Sequence, residues 1–298
     1  MPRARILIGI SGWRYAPWRG VFYPKGLPQK QELAYASRTL PSIELNGSFY
    51  SLQRPSSYER WGRETPDEFV FSVKGSRYIT HLLRLKEVEP ALARFFGSGL
   101  LNLGAKLGPI LWQFPPNFKF DAERFENFLR MLPKDASEAA ALAERHHALQ
   151  KGAGPPAGGT SRRLRYAVEI RHESFRNREF IRMLRENGIA LVVADTAGKW
   201  PYLEEPTADF MYLRLHGDVE LYASGYTDAA LDRWAERIRA WRAGGEPKDA
   251  RRVTERPAPR RKPRDVYCYF DNDAKVKAPF DAKTLLGKLG QSPKRRRM

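Results

Sequence analysis

The sequence predicts an α/β fold: a single (β/α)8 barrel of the TIM type, with two inserted flexible loops and a basic C-terminal tail. Three observations lead there. Eight short apolar runs of strand length are mostly separated by stretches of helical spacing, which points to a parallel sheet, and the number eight favours closure. No Gly-x-Gly-x-x-Gly turn follows any of these runs, which weighs against the competing open, doubly wound sheet. Polar residues gather at the carboxyl ends of the runs, where a barrel keeps its ligand site.

The first strand covers residues 5–11, a continuous apolar run bounded by Gly12 that suits burial on both faces. An aromatic loop over 13–23 leads past Pro24 to a helical stretch near 29–38, and Pro41 introduces a second strand over 42–46. A short helix around 56–64 stops before Pro66, and the alternating residues 68–74 make the third strand. Val88, Leu92, Phe95 and Phe96 recur at helical spacing within 86–104, a stretch closed by Gly104. The fourth strand, 108–114, stops at Pro115-Pro116. Asp121 is placed to cap a helix whose apolar face includes Phe125, Phe128, Leu129 and Leu132.

The fifth strand covers 164–171 and is followed by a helix over 178–187 that ends at Gly188. The sixth, seventh and eighth strands fall at 189–195, 210–216 and 265–271. Between the last two, 228–242 reads as an amphipathic helix carrying Leu231, Trp234, Ile238 and Trp241, and a helix over 282–289 closes the fold. The connection from Asp195 to Phe210 holds Pro201 and Pro206 and is too broken for a full helix. One domain over 1–292 is therefore expected, followed by a basic tail over 293–298. Its inserts lie at about 136–163, where an Ala-rich start extends the preceding helix, and at about 244–264. Neither insert offers much apolar surface to bury, so both are expected to be mobile.

A net charge of +18 over 298 residues resembles that of a nucleic-acid binder. Most of the excess sits in 145–165, 244–265 and the last six residues, outside the expected core, so nucleic acid is a partner only through those basic segments. Cys268 is the one cysteine, which excludes an intramolecular disulfide and any multi-cysteine zinc site. The N-terminal apolar run, broken at Gly9, is too short for a signal peptide or a membrane span, so a cytoplasmic protein with no membrane partner is expected.

The chemistry is concentrated at the strand ends. In Val168-Glu169-Ile170-Arg171-His172 the apolar residues face one way, while Glu169 and Arg171 face the other. Charges at the end of an apolar strand are costly unless they line a polar cavity. The device recurs at Ile43-Glu44-Leu45-Asn46 and Leu213-Arg214-Leu215-His216, pointing to one shared pocket. Lys74, Gln113, Asp195 and Asp271 end other strands, and Trp13, Tyr50 and His81 follow strands one to three.

Arg171, Arg214 and Lys74 suit an anion, since a guanidinium fork matches phosphate or carboxylate. The bland alternative makes Glu169 and Arg171 a structural ion pair. His216 and His172 are the acid–base candidates, because imidazole titrates near neutral pH, unless they are satisfied core or surface histidines. Glu44, Glu169, Asp195, Asp271 and the histidines are ligand types for a metal. The interleaved cations and the absence of His-x-His or His-Glu-x-x-His spacing speak against one, so a metal is not favoured and no cofactor is named.

These strand ends resemble the YecE-like family, domain of unknown function 72. The similarity begins at Ile8-Gly9-Ile10-Ser11-Gly12-Trp13 and continues through Glu44-Leu45-Asn46-Gly47-Ser48-Phe49-Tyr50, Thr80-His81 and Trp112-Gln113-Phe114-Pro115-Pro116. It resumes at Glu169-Ile170-Arg171-His172, Asp195, Arg214-Leu215-His216-Gly217 and Phe270-Asp271-Asn272. The resemblance implies a TIM-barrel-like fold and no established activity. Its motif positions fall on Glu44, Asn46, Lys74, His81, Gln113, Glu169, Arg171, His172, Asp195, Arg214 and His216.

Two functions follow as expectations. One is an enzyme that binds a small anionic, phosphate-bearing substrate through Arg171, Arg214 and Lys74, supported by Asn46, Gln113, His81, His172, Trp13 and Tyr50. His216 then acts as acid–base, oriented by Glu169 or Asp195 with Glu44 nearby, in phosphodiester hydrolysis or proton transfer on a sugar phosphate. The other is a non-catalytic protein that binds nucleic-acid backbone through its basic loops and tail. The oligomeric state is not legible.

Overall fold

The computed structural model describes residues 4–153, 162–255 and 262–291. Its eight strands are β1 (Ile6–Ser11), β2 (Ser42–Leu45), β3 (Val70–Lys74), β4 (Leu107–Gln113), β5 (Tyr166–Glu169), β6 (Ala190–Asp195), β7 (Phe210–Leu215) and β8 (Asp265–Phe270). They form a closed parallel barrel in the order β1-β2-β3-β4-β5-β6-β7-β8, the fold class that the alternation of strand and helix predicts. Packing divides the chain into two compact units, one of residues up to Glu44 together with those from Arg176 onward, the other Leu45–Phe175.

The first unit contains β1, β2 and β6 to β8, with helices α1 (Glu32–Thr39), α7 (Arg178–Asn187), α8 (Asp228–Arg242) and α9 (Ala278–Lys288). Gly9 pairs with Ser42 and Ser11 with Glu44, and Gly9 is required: a Cβ there would fall on the Ser42 carbonyl. α7 starts on the Asn177 side chain, which accepts from the Phe180 amide, and stops at Gly188 with φ 62°. That left-handed ending is the glycine C-cap expected from the sequence. The segment 196–209 between β6 and β7 holds no helix, as its two prolines predict.

Leu45–Phe175 contains β3, β4 and β5 with α2 (Gly47–Tyr50), α3 (Pro55–Glu64), α4 (Glu89–Phe96), α5 (Ala122–Met131) and α6 (Ala136–Arg145). Behind β4, Trp112 packs between Phe95 and Phe128, and Phe114 lies among Phe118, Phe125 and Phe175. α5 is capped by Asp121, as expected.

The two inserts depart from expectation where they are described. Residues 136–145 do not extend α5. They form a separate helix, started by Asp135, whose carboxylate takes the amides of Ser137 and Glu138. α6 buries Ala139, Ala140, Leu142 and Ala143, because its small residues let it pack closely against α4.

The start of the second insert is held rather than loose. Glu204, buried, accepts from the Arg251 amide and from Arg237. Glu205, also buried, accepts from the amides of Val253 and Thr254 and from Arg185. Two adjacent carboxylates out of water need donors, and this polar segment supplies them. The remaining insert residues 154–161 and 256–261, and the expected tail, lie outside the described residues.

Candidate functional site: two polar clusters at strand ends

In the first unit, register decides which side chains meet. Arg214 is level with Tyr269 and Ala194, and Ser11 with Glu44. Partners in register point the same way, so Arg214, Tyr212 and Tyr269 share a face with Ser11, Ser42 and Glu44. Arg214 reaches Glu44 at 2.9 Å and Asp271 at 2.7 Å, and donates to Ser11 at 3.2 Å. Tyr212 donates to the other Glu44 oxygen at 2.6 Å, Ser11 also donates to Glu44, and the Ser42 and Tyr269 hydroxyls meet at 2.7 Å. The Arg214 fork is thus taken up by two carboxylates, and an anion would have to displace them.

His216 is fully buried, between the rings of Trp200 and Tyr222. One ring nitrogen lies 3.4 Å from an Arg214 nitrogen and the other 3.2 Å from Asp271. A guanidinium only donates, so the nitrogen facing Arg214 is the acceptor in that contact. The carboxylate beside His216 is therefore Asp271, where the sequence reading expects Glu169 or Asp195.

Asp195 is level with Leu215, one residue out of phase with Arg214, and turns away from it. Its carboxylate accepts from Tyr226 at 3.0 Å, and burial pushes its pKa up to about 6. Burial and the neighbouring Asp271 also raise Asp273 to about 6. Trp13 is buried in the loop after β1, its carbonyl bound by Tyr23, and forms part of the packing there.

In Leu45–Phe175 a different balance holds. Glu169 is fully buried at the end of β5, and accepts from Gln113 at 2.7 Å and Arg171 at 2.9 Å. The structural ion pair named as an alternative therefore exists, with Arg171 still reaching the surface (12% of its side chain). Lys74 ends β3 with its ammonium 4.2 Å from the Phe49 ring centre, and Ser48 binds its carbonyl at 2.6 Å.

The chain after β3 coils into a π-turn, Tyr78–Leu82, which brings His81 edge-on to Phe49 at 5.1 Å. Burial first, then Lys74, Arg171 and Arg77, lower the His81 pKa to about 4, with Glu169 acting in the opposite direction. His81 is consequently a neutral imidazole in a cationic setting, its Nδ1 2.8 Å from the Thr80 hydroxyl.

Asn46 heads α2, and its side-chain carbonyl oxygen is buried with no donor facing it. Tyr50, at the end of α2, is 70% exposed. His172 does not join the cluster: its Nδ1 takes the Ser174 amide and lies 2.9 Å from the Ser174 hydroxyl, tying the loop after β5. Among the described residues no group of three or more His, Cys, Asp or Glu gathers to hold a metal ion. No helix among them is long and apolar enough to cross a membrane.

Sequence reasoning missed Tyr212, Phe49, Arg77 and the pairing of Asp271 with His216. Tyr212 was within reach, since it shares the parity of Arg214. The others depend on register or on the π-turn.

Eight parallel strands closed in sequence order, with charged residues at their carboxyl ends, define a (β/α)8 barrel protein. The chain belongs to the protein family of unknown function DUF72, whose family model matches residues 7–297. It is 34% identical over 118 residues to UPF0759 protein YunF of Bacillus subtilis (strain 168), covering 38% of this chain and 41% of that protein. It is 23% identical over 197 residues to UPF0759 protein YecE of Escherichia coli (strain K12), covering 64% of this chain and 59% of that protein. The chain thus spans between two fifths and three fifths of the curated relatives it matches.

Among solved structures, a DUF72 family protein from Thermotoga maritima MSB8 superposes with a TM-score of 0.70 at 25% identity, covering 96% of this chain and 100% of that one. One from Enterococcus faecalis V583 gives 0.67 at 16% identity, covering 98% and 99%.

Proposed function

We propose that the protein is an enzyme that binds an anionic, phosphate-bearing substrate at the strand ends of Leu45–Phe175, and that it hydrolyses a phosphate ester. One observation carries this reading. Lys74 and Arg171 stand beside the half-buried His81, and with Arg77 they lower its pKa against the opposing effect of Glu169, so cations predominate in the field at a ring that remains accessible. A partly dehydrated cationic cluster favours a compact anion, and Arg171 can offer directed donors to phosphoryl oxygens. In this reading Lys74 and Arg171 hold the phosphoryl group, Gln113 and Glu169 fix Arg171, and neutral His81 accepts a proton from the attacking water.

The role first assigned to Arg214 passes to Lys74 and Arg171, because Glu44 and Asp271 already neutralise Arg214. His216, fully buried with one ring nitrogen on Arg214, passes its role as base to His81.

Calorimetric titration with inorganic phosphate tests the binding half. Wild type should bind, Lys74→Met should weaken binding at least tenfold, and unchanged binding would refute the reading. Turnover of bis(p-nitrophenyl) phosphate, abolished in His81→Gln, tests the chemistry.

The second reading, binding to nucleic-acid backbone, draws on the +18 charge and its concentration in the inserts and tail. Removing 256–261 and 293–298 should abolish salt-sensitive binding to DNA under that reading, and leave turnover unchanged under the first.

A further inference from the structure

Large apolar side chains exposed to water are few among the described residues, and three of them crowd the same pair of turns. Tyr50 ends α2 at 70% exposure, while Tyr78 and Leu82 open and close the π-turn that carries His81. Tyr50 is connected to the cationic cluster through a single ring. Phe49 lies 5.0 Å from Tyr50, edge-on, and the same Phe49 ring meets His81 at 5.1 Å and the Lys74 ammonium at 4.2 Å. Tyr50 thus stands one ring away from the proposed phosphate site, with its own phenol ring turned to solvent. An aromatic residue in that position gains little for folding from burial, since most of it is exposed. It does offer a flat apolar face against the same Phe49 ring that the Lys74 ammonium meets, an arrangement suited to stacking a base while its phosphate is held.

We infer that the ligand of this site is a nucleoside monophosphate or a nucleotide end of the same chemistry, its base stacked on Tyr50 and its phosphate held by Lys74 and Arg171. This rests on the anion-binding reading above and narrows it. A sugar phosphate satisfies the cations equally well and leaves Tyr50 without a task.

Binding of AMP, ribose 5-phosphate and adenosine to wild type, Tyr50→Ala, Tyr50→Phe and Lys74→Met, measured by calorimetry with a thermal melt as fold control, separates the two levels. Wild type should bind AMP about tenfold or more tightly than ribose 5-phosphate. Tyr50→Ala should remove that advantage and leave ribose 5-phosphate unchanged, while Tyr50→Phe keeps it. Lys74→Met should weaken AMP and ribose 5-phosphate alike and spare adenosine. If wild type binds AMP and ribose 5-phosphate equally, and Tyr50→Ala alters neither, the nucleotide inference falls and the anion reading stands. If neither phosphate binds wild type, or Lys74→Met leaves both unchanged, the anion reading falls and takes the inference with it.

Discussion

Glu44 and Arg214 are 170 residues apart in the chain and meet at 2.9 Å, with neither side chain reaching solvent. Tyr212, Ser11 and Asp271 complete the bonding around them. Breaking such a pair from one side strands a charge out of water, at a cost of about 3–5 kcal/mol, whereas replacing both partners with apolar residues costs far less. Glu44→Leu alone should lower the unfolding free energy, read from urea denaturation, by an amount near the lower end of that range, because Asp271 still faces the arginine. Glu44→Leu with Arg214→Met should cost clearly less than the two single changes added together. Strict additivity in equilibrium unfolding would show that the pair is not coupled.

His81 makes stability depend on pH in a predictable direction. Its folded pKa is lowered to about 4 from the usual 6.5, so between those values the unfolded chain binds more protons than the folded one. Stability therefore falls as pH drops from about 6.5 to 4. Asp195 and Asp273, raised to about 6 from 3.8, act oppositely: they take up protons on folding and lend stability that is lost as pH rises from about 4 to 6. His81→Gln should remove only the first contribution, so the variant should lose less stability than wild type on acidification over this window. Parallel curves in pH-dependent denaturation would mean that the imidazole titrates normally. In the hydrolytic reading, activity should rise with pH through about 4 as His81 becomes the free base.

Glu205 holds the start of the second insert through the amides of Val253 and Thr254. Glu205→Gln keeps the shape and removes the charge that these donors, and Arg185, converge on. Hydrogen exchange at Val253 and Thr254 should accelerate by about tenfold or more, while amides in β8 keep their protection. Unchanged exchange at those two positions would show that the segment is held by something else.

The strands, their order and their polar ends were legible because each rests on a local pattern. Period-two alternation placed Glu169 opposite Val168 and on the face of Arg171, and the ion pair weighed as the bland alternative exists. What alternation does not contain is the phase of one strand against its neighbour. Asp195 and Arg214 both end apolar runs, but the β6–β7 register sets them on opposite faces, and the β7–β8 register brings Asp271 to His216. The expected mobility of residues 136–145 overlooked a start signal that was present, Asp135 before an Ala-rich run with Glu138 three positions on. The hold on 251–254 was not legible, since it depends on Glu204 and Glu205 in a proline-flanked connection with no periodicity of its own. The π-turn at Tyr78–Leu82, which gives His81 its place, left no mark in the spacing either.

The clasp formed by Glu204 and Glu205 has a bearing on how this chain can vary. Arg264 binds the Gly245 carbonyl at 3.0 Å, so the excursion between α8 and β8 is moored on its departing and its returning side. Both moorings lie ahead of β8, at the end of the strand remote from Asp271. Additions or losses between them leave the strand itself unpulled. A change of chain length between Thr254 and Lys262 should accordingly leave the groups around Arg214 at their present spacing.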